Sequence, residues 1–146
     1  MYKVIVVGTD GTDRAKVAVG EALALAKLTG ATVHGVHVVH PAVTAGFSDT
    51  RTAQFEVTSM QEAADRSREE LLAQAETEGV SAEMHHPGSD DVADALIGVA
   101  EAVNADLVVV GNRGMTGMKG RLLGSVPNKV SHHCPCNLLI VNTDTN

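Results

Sequence analysis

Short apolar runs alternate with stretches of helical periodicity along the whole chain. Each apolar run ends at a glycine, a proline or a polar turn, and such runs are typical of strands buried on both faces of a parallel sheet. Strands are predicted at residues 3–7, 32–39, 80–86, 105–110 and 137–141. The third run is polar enough to lie towards an edge of the sheet, and the fourth is predicted to be central.

Helices are predicted between these strands from apolar residues at three- and four-residue spacings. They span residues 14–29, 61–78 and 126–133, and a further helix runs from a cap at Ser89 or Asp90 to Asn104. Gly30 and Gly79 stand directly after two of these helices, where a glycine with positive φ commonly ends a helix.

The alternation of strands and helices predicts a doubly wound, Rossmann-like α/β fold. We expect one domain over residues 1–146, with a five-stranded parallel sheet in the order 3-2-1-4-5 and helices on both faces. Residues from about 42 to 59 follow neither period and are predicted to form a mobile insertion.

The composition is consistent with this fold. Hydrophobic residues make up 44% of the 146 residues and aromatic residues only 2%, so Val, Leu, Ile and Ala must fill the core. The two cysteines, Cys134 and Cys136, are too close in sequence to form a disulfide framework and are expected to be reduced thiols.

Charge and hydropathy exclude some classes of partner. The net charge of −7 leaves no broad basic surface for nucleic acid. No apolar run is long enough for a membrane span, and the apolar part of the N-terminus is too short for a secretory signal. A cytoplasmic protein is therefore expected.

A glycine-rich segment after the fourth strand is the strongest candidate for chemistry. Residues without a Cβ let backbone N–H groups approach an anion closely, and Ser125, predicted as the N-cap of the following helix, would add a hydroxyl at the positive end of the helix dipole. The glycines of this segment are Gly111, Gly114, Gly117, Gly120 and Gly124.

The common phosphate motifs do not fit this segment. A P-loop requires a hydroxyl residue after its lysine, but Lys119 is followed by Gly120. The Rossmann fingerprint is also missing after the first strand, which offers only Gly8 and Gly11. The two loops should nevertheless converge, because ligands of such sheets bind beyond the carboxyl ends of the strands where the strand order reverses.

The pattern that does fit is G-x2-G-x9-G-[ST], formed by Gly111, Gly114, Gly124 and Ser125. With the opening VVGTDGT, the strand end HVV, the strand ADLVVVG and the continuation RLLGSV, the sequence resembles the universal stress protein family, and specifically its ATP-binding branch. The resemblance covers nearly the whole chain.

The resemblance implies an adenine-nucleotide site. Val38 would offer its backbone N–H and C=O to adenine, Asp10 would contact the ribose or phosphate side, and Gly8, where family members often have proline, would lie against the ligand. The full set implied as binding residues is Gly8, Thr9, Asp10, Val38, Val110, Gly111, Asn112, Arg113, Gly114, Met115, Gly117, Gly124, Ser125 and Val126.

Physical arguments qualify some of these roles. Arg113 and Lys119 would supply positive charge beside the phosphates. Asp10 has the same sign of charge as a phosphate, so it must face a hydroxyl or a bridging Mg²⁺; a helix-capping role is the alternative. For Ser125, capping alone and capping with phosphate contact are both open.

The predicted function is binding of ATP, with or without Mg²⁺, by a stress or regulatory protein. Cyclic AMP or AMP as ligand, and slow ATPase or autophosphorylation activity, are the alternatives. The resemblance also implies a homodimer that pairs the last strand, Asn137 to Val141. No catalytic residues are singled out, because no nucleophile motif or acid–base pair stands out in the sequence.

No metal site is predicted. His34 and His37 point to opposite faces of a strand and cannot act as paired ligands. His85 and His86 are read as strand-end and core residues. The remaining group of soft donors, close to the last strand, lacks a second cluster that would complete a tetrahedral site; it consists of His132, His133, Cys134 and Cys136.

Overall fold

The computed structural model describes residues 1–39, 50–113 and 123–144. Within them strands and helices alternate as the sequence predicts. The strands are β1 (Val4–Gly8), β2 (Thr32–Val36), β3 (Ala82–His85), β4 (Leu107–Gly111) and β5 (Asn137–Val141). The helices are α1 (Asp13–Thr29), α2 (Thr50–Glu78), α3 (Val92–Ala102) and α4 (Ser125–His133).

All strand pairs are parallel, and the order is β3-β2-β1-β4-β5. The predicted topology is therefore confirmed. Strand β1 lies at the centre and is buried along its apolar residues, as expected for a strand covered on both faces.

Two hydrophobic clusters cover the two faces of the sheet. Successive residues of a strand point to opposite faces, so Ile5 and Val7 pack with α1 and α2, whereas Val6 packs with α3 and α4. The same alternation holds in β4, where Val109 joins the first cluster and Val108 the second. Aliphatic and alanine side chains dominate both clusters, as the composition requires.

Helix α2 begins earlier than the sequence predicts. It starts at Thr50, so the predicted start at residue 61 is wrong. Residues 50–59 of the predicted insertion are helical, and its residues 42–49 lie outside the described part of the chain. The first turns bury no side chain that the structure describes, and Phe55 is 69% exposed. A helix without a buried stripe has no hydrophobic period to detect. No helix in the described ranges is long and apolar enough to cross a membrane.

Other boundaries also differ from the predictions, and two of these differences have local reasons. Strand β2 ends at Val36 rather than at Val39, because only an isolated bridge joins Val39 to Gly88. The N-cap of α3 is Asp91, whose Oδ1 accepts a hydrogen bond from the backbone N–H of Asp94 at 3.0 Å. The prediction of Ser89 or Asp90 as the cap is wrong.

Gly35 provides a test of how closely β2 and α2 pack. A Cβ at this position would lie 2.6 Å from Leu71 Cδ2 and 3.0 Å from the Met84 thioether. We expect Gly35→Ala to lower the free energy of unfolding by about 1–3 kcal/mol, because overpacking forces neighbouring side chains to move. Chemical denaturation measures this change.

Gly20 supplies the matched control. It lies within α1, and a Cβ there would meet no atom within 4 Å. Gly20→Ala should leave stability unchanged or raise it by about 0.5–1 kcal/mol, since glycine is a poor helix former. Equal effects of the two substitutions would contradict the packing described for Gly35.

Candidate functional site

A cavity of about 350 Å³ opens beyond the carboxyl ends of β1 and β4. This is where the strand order reverses, so its position agrees with the rule for ligand sites in open parallel sheets. The volume lies in the range typical of small-molecule pockets. The turn after β1, the end of β2, the end of β4 and the start of α4 all contribute to its wall.

Nine of the predicted site residues line this cavity: Gly8, Thr9, Asp10, Val38, Val110, Gly111, Arg113, Ser125 and Val126. Asn112 and Gly124 lie next to it in the chain but are not in its wall. Gly114, Met115 and Gly117 fall outside the described residues. Several further lining residues were not predicted from the sequence, namely Thr12, Ala15, His37, Val92, Leu96, Pro127 and Thr143.

Most of these residues reach the cavity through the tertiary packing, and their local sequence does not mark them. Leu96 and Val92 lie on the inward face of α3, and nothing in their own sequence distinguishes them from core residues. Thr143 follows β5, and because β5 pairs with β4 its carboxyl end reaches the same edge of the sheet. The predicted strand order could therefore have placed Thr143 at the cavity.

The two glycines at the ends of β1 and β4 permit close packing at the cavity wall. A Cβ on Gly8 would lie 3.1 Å from both terminal carbons of Leu96, and a Cβ on Gly111 would lie 3.0 Å from Thr143 Cγ2. A side chain at either position would require a buried neighbour to shift by a few tenths of an ångström, since Leu96 is 1% and Thr143 2% exposed. Glycine avoids this crowding.

The turn between β1 and α1 is held by its own side chains. Asp10 Oδ1 accepts hydrogen bonds from the backbone N–H and the hydroxyl of Thr12. Thr12 is the N-cap of α1, and its Oγ1 in turn accepts from the N–H of Ala15 at 3.3 Å. Asp10 therefore supports the cap without being the cap itself. Its Oδ2 takes no part in these bonds.

The backbone of Val38 has no hydrogen-bond partner among the described residues, and Val38 lines the cavity. On β2 and beyond it, the N–H groups of Val33, His37 and Val39 bond towards β3, whereas the C=O of Val36 accepts from the N–H of Thr9 on the β1 side. Val38 lies two residues beyond Val36, and in a parallel sheet residues two apart direct their N–H and C=O to the same neighbouring strand. The backbone groups of Val38 therefore also point to the β1 side. Since β1 has ended at Gly8, these groups face the cavity.

Two histidines hold this part of the β2 extension in place. His86 Nδ1 donates to the carbonyl oxygen of His37 at 3.3 Å, and the two rings meet edge to face. Burial lowers the pKa of His86, and the bond to the His37 carbonyl acts in the opposite direction. The carbonyl that precedes Val38 is thus fixed.

The start of α4 places backbone donors at the cavity. Its N-cap is Gly124, with φ −63° and ψ 167°, so the prediction of Ser125 as N-cap is wrong and Ser125 is the first helical residue. The N–H of Gly124 donates to the carbonyl oxygen of Asn112 at 2.9 Å, and Pro127 has no N–H. Of the first N–H groups, which have no partner inside a helix, those of Ser125 and Val126 have none in the described part of the chain and are available to a ligand.

Asn112 ties together the chain on both sides of the cavity rim. Its backbone N–H donates to the carbonyl oxygen of Val141 at 2.8 Å, and its carbonyl accepts from Gly124. Its side-chain Oδ1 accepts from the N–H and the hydroxyl of Thr143, at 3.0 and 2.9 Å. Asn112 therefore positions β4, β5 and α4 relative to one another.

Charged groups at the site are paired within the protein. Arg113 forms an ion pair with Asp144, with 2.9 Å between Nη2 and Oδ2. Lys129 of α4 reaches Asp91 at 2.7 Å and Asp94 at 3.0 Å on α3. The bond from Lys129 lowers the pKa of Asp91. These contacts hold α4 against α3, which fixes where the N-terminus of α4 points.

Comparison with known proteins assigns the chain to a family. Residues 1–142 match the profile of the universal stress protein family, and the chain belongs to that family. It is 34% identical over 152 residues to universal stress protein Rv1636 of Mycobacterium tuberculosis, with 97% of each chain covered. It is also 31% identical to universal stress protein MJ0531 of Methanocaldococcus jannaschii, covering 97% of this chain and 82% of that one.

Solved structures agree with the fold. A universal stress protein crystallised in complex with cyclic AMP is 31% identical, with a TM-score of 0.70 and 98% of each chain covered. Hypothetical protein MJ0577 reaches a TM-score of 0.83 at 24% identity, with 100% of this chain and 99% of that one covered. The latter likeness shows the fold alone.

The contact between Gly111 and Thr143 can be tested by a double-mutant cycle. Gly111→Ala should lower stability, because its Cβ meets Thr143 Cγ2 while two hydrogen bonds to Asn112 hold Thr143 in place. Thr143→Ser removes Cγ2 but keeps the hydroxyl, so it should relieve the effect. We expect a coupling free energy of about 0.5–3 kcal/mol in denaturant titrations. Additive effects of the two substitutions would contradict this contact.

Proposed function

We propose that this protein binds an adenine nucleotide, with ATP as the preferred ligand, and that it acts by binding rather than by efficient catalysis. The observation that carries the proposal is that two sets of backbone groups, at Val38 and at Ser125–Val126, face one cavity and have no hydrogen-bond partner within residues 1–39, 50–113 and 123–144. The two cysteines are free thiols, which suits the cytoplasmic location expected from the sequence.

The backbone of Val38 suits the base. A neighbouring N–H and C=O on one residue can accept from the amino group of adenine and donate to a ring nitrogen. Val92, Leu96 and Val110 give this part of the cavity an apolar wall, and pockets with apolar walls and a few fixed polar groups are typical of small-molecule sites. The strand end recognises the base through main-chain groups, so no specific side chain is required.

Asp10 is suited to the ribose or to a metal ion. Its Oδ1 is occupied by Thr12, so Oδ2 is the oxygen available to a ligand. A carboxylate repels phosphate but accepts hydrogen bonds from ribose hydroxyls, and carboxylates also bind Mg²⁺ together with phosphates. Either role explains an acidic residue in the wall of a nucleotide site.

The start of α4 is suited to phosphate. The N–H groups of Ser125 and Val126 lie at the positive end of a nine-residue helix, where anions are favoured by the dipole and by the donors. Arg113 is already paired with Asp144, so it brings little net positive charge. A triphosphate in this site would therefore be bound with Mg²⁺ to balance its charge.

Cyclic AMP is the second candidate ligand. The solved universal stress protein at 31% identity was crystallised with cyclic AMP, and groups that hold adenine, ribose and one phosphate do not by themselves demand a triphosphate. Competition titration of ATP, AMP and cyclic AMP against one fluorescent nucleotide ranks the ligands. Tighter binding of cyclic AMP than of ATP would favour this candidate.

Substitutions at Ser125 test the phosphate role of the α4 N-terminus. Proline is well tolerated at the first position of a helix, and the extended backbone of Gly124 is compatible with a following proline. Ser125→Pro therefore removes one backbone N–H while the helix persists. We expect it to weaken ATP binding roughly tenfold to a hundredfold, the effect of a hydrogen bond to a charged group, in isothermal titration calorimetry.

Two controls accompany this test. Ser125→Ala removes the hydroxyl and keeps the N–H, so it should change ATP affinity much less. Adenosine lacks phosphate and should bind wild type and Ser125→Pro equally. Unchanged ATP affinity in Ser125→Pro would show that the phosphates bind elsewhere, and a wild-type protein that binds no adenine nucleotide would overturn the proposal. Steady ATP turnover abolished by Asp10→Ala would instead make the protein a slow ATPase.

We also propose that the protein is a homodimer joined through β5. This strand lies at the edge of the sheet and carries the partly exposed apolar residues Leu138, Leu139 and Ile140. An edge of this kind pairs readily with another strand. The C=O of Val141 accepts from the N–H of Asn112, which directly follows β4. Backbone groups alternate in direction along a strand, so those of Leu139 also point towards β4, whereas the N–H groups of Leu138 and Ile140 point away from the sheet.

Proline at Ile140 tests the interface without breaking the β4–β5 ladder. Ile140→Pro removes an outward N–H, which edge strands tolerate, so it should shift the protein from dimer to monomer in sedimentation velocity. Ile140→Ala, which shortens the side chain and keeps the N–H, is the control. A folded Ile140→Pro variant that sediments as the wild type does would place the interface elsewhere.

A further inference from the structure

Three potential metal ligands meet at the edge of the sheet farthest from β5. His34 lies on β2, and Glu83 and His85 lie on β3. His34 is in direct register with Glu83, and His85 follows two residues later on the same strand. Residues two apart share a face, so all three side chains stand on one face of the β2–β3 pair.

The distances between these groups are short. His34 Nδ1 lies 2.9 Å from His85 Nε2 and 3.3 Å from Glu83 Oε2, and the three ligand atoms lie within 4.8 Å of one another. Two zinc ligands at bond lengths of about 2.0–2.2 Å in a tetrahedral site stand roughly 3.4 Å apart. The histidines already approach this separation, and the 67% exposed side chain of Glu83 can turn towards them.

Burial makes His34 the fixed member of the group. Its side chain is only 11% exposed, and its Nδ1 lies within short reach of the ligand atoms of both other residues. An imidazole nitrogen that carries no proton has a lone pair to give to a metal. His85 and Glu83 are progressively more exposed, so an ion would have a path from solvent.

We propose that His34, Glu83 and His85 form a binding site for a divalent transition-metal ion, with Zn²⁺ as the best fit. Two imidazoles and one carboxylate are a typical zinc donor set, and they match Mg²⁺ and Ca²⁺ poorly because those ions prefer oxygen ligands. With three protein ligands, the fourth position is left to water. In the ion-bound state the contact between the two histidine nitrogens is replaced by two metal–nitrogen bonds.

The other soft donors offer a less suitable site. His132 and His133 lie at the end of α4 with ring centroids 6.4 Å apart. Burial, reinforced by neighbouring Cys134, raises the pKa of Cys136 to about 11, which disfavours the thiolate that metals bind. Within the described residues, His34, Glu83 and His85 are the group whose ligand atoms lie close enough to share an ion.

Titration of the tag-free full chain with Zn²⁺, and with Co²⁺ as a spectroscopic probe, tests the proposal. We expect one ion per chain, tetrahedral Co²⁺ absorption without a thiolate charge-transfer band, and a rise in melting temperature with Zn²⁺. Loss of a residue that merely orients a metal ligand costs about 10–100-fold in affinity, so His85→Ala should cost at least about tenfold. Glu83→Gln should weaken binding less.

The double variant His132→Ala, His133→Ala is the matched control, because it removes two histidines and leaves the proposed site intact. It should bind Zn²⁺ as the wild type does. A thiolate band, loss of binding in this control, or unchanged affinity in a folded His85→Ala variant would overturn the proposal. So would the absence of stoichiometric binding to the wild-type chain.

Discussion

The early end of β1 is the constraint on which the candidate site depends. The central strand stops at Gly8 and its last link to β2 is the bond from the N–H of Thr9 to the carbonyl of Val36. The chain beyond β2 continues alongside β3 as far as Val39. This difference in length leaves the peptide groups of Val38 without a strand partner, and a parallel sheet that reverses its order at β1 opens a crevice at that point.

The fold could be predicted from the sequence because its signals are local and repeated. Apolar runs, helical periods and the glycines at 30 and 79 marked the elements, and both glycines have the positive φ expected there. The failures occurred where local signals compete or are missing. The first turns of α2 bury no described side chain, and near α3 three consecutive polar residues could each have served as the cap, of which Asp91 does.

The candidate site was predictable to the extent that it belongs to strand ends and glycine turns. Asp10, Val38 and Gly111, which the resemblance implies as binding residues, line the cavity. The sequence could not show that Gly124, and not Ser125, caps α4, because both residues are acceptable caps and the bond from Gly124 to Asn112 decides between them. With Gly124 as the cap, Ser125 is the first helical residue, and both its backbone N–H and its hydroxyl are donors at the cavity.

Strand β2 links the cavity beyond β1 and β4 to the proposed metal site. His34 and Val38 lie on the same face of this strand or its extension, but four residues of strand span roughly 13 Å, so an ion at His34 could not touch a base held at Val38. An ion there would instead join β3, a four-residue edge strand, to β2. Because His37 and Val39 depend on bonds to the chain that continues from β3, anchoring β3 would also steady the backbone that presents Val38. The mechanical connection between the two sites therefore runs through the β2–β3 pairing.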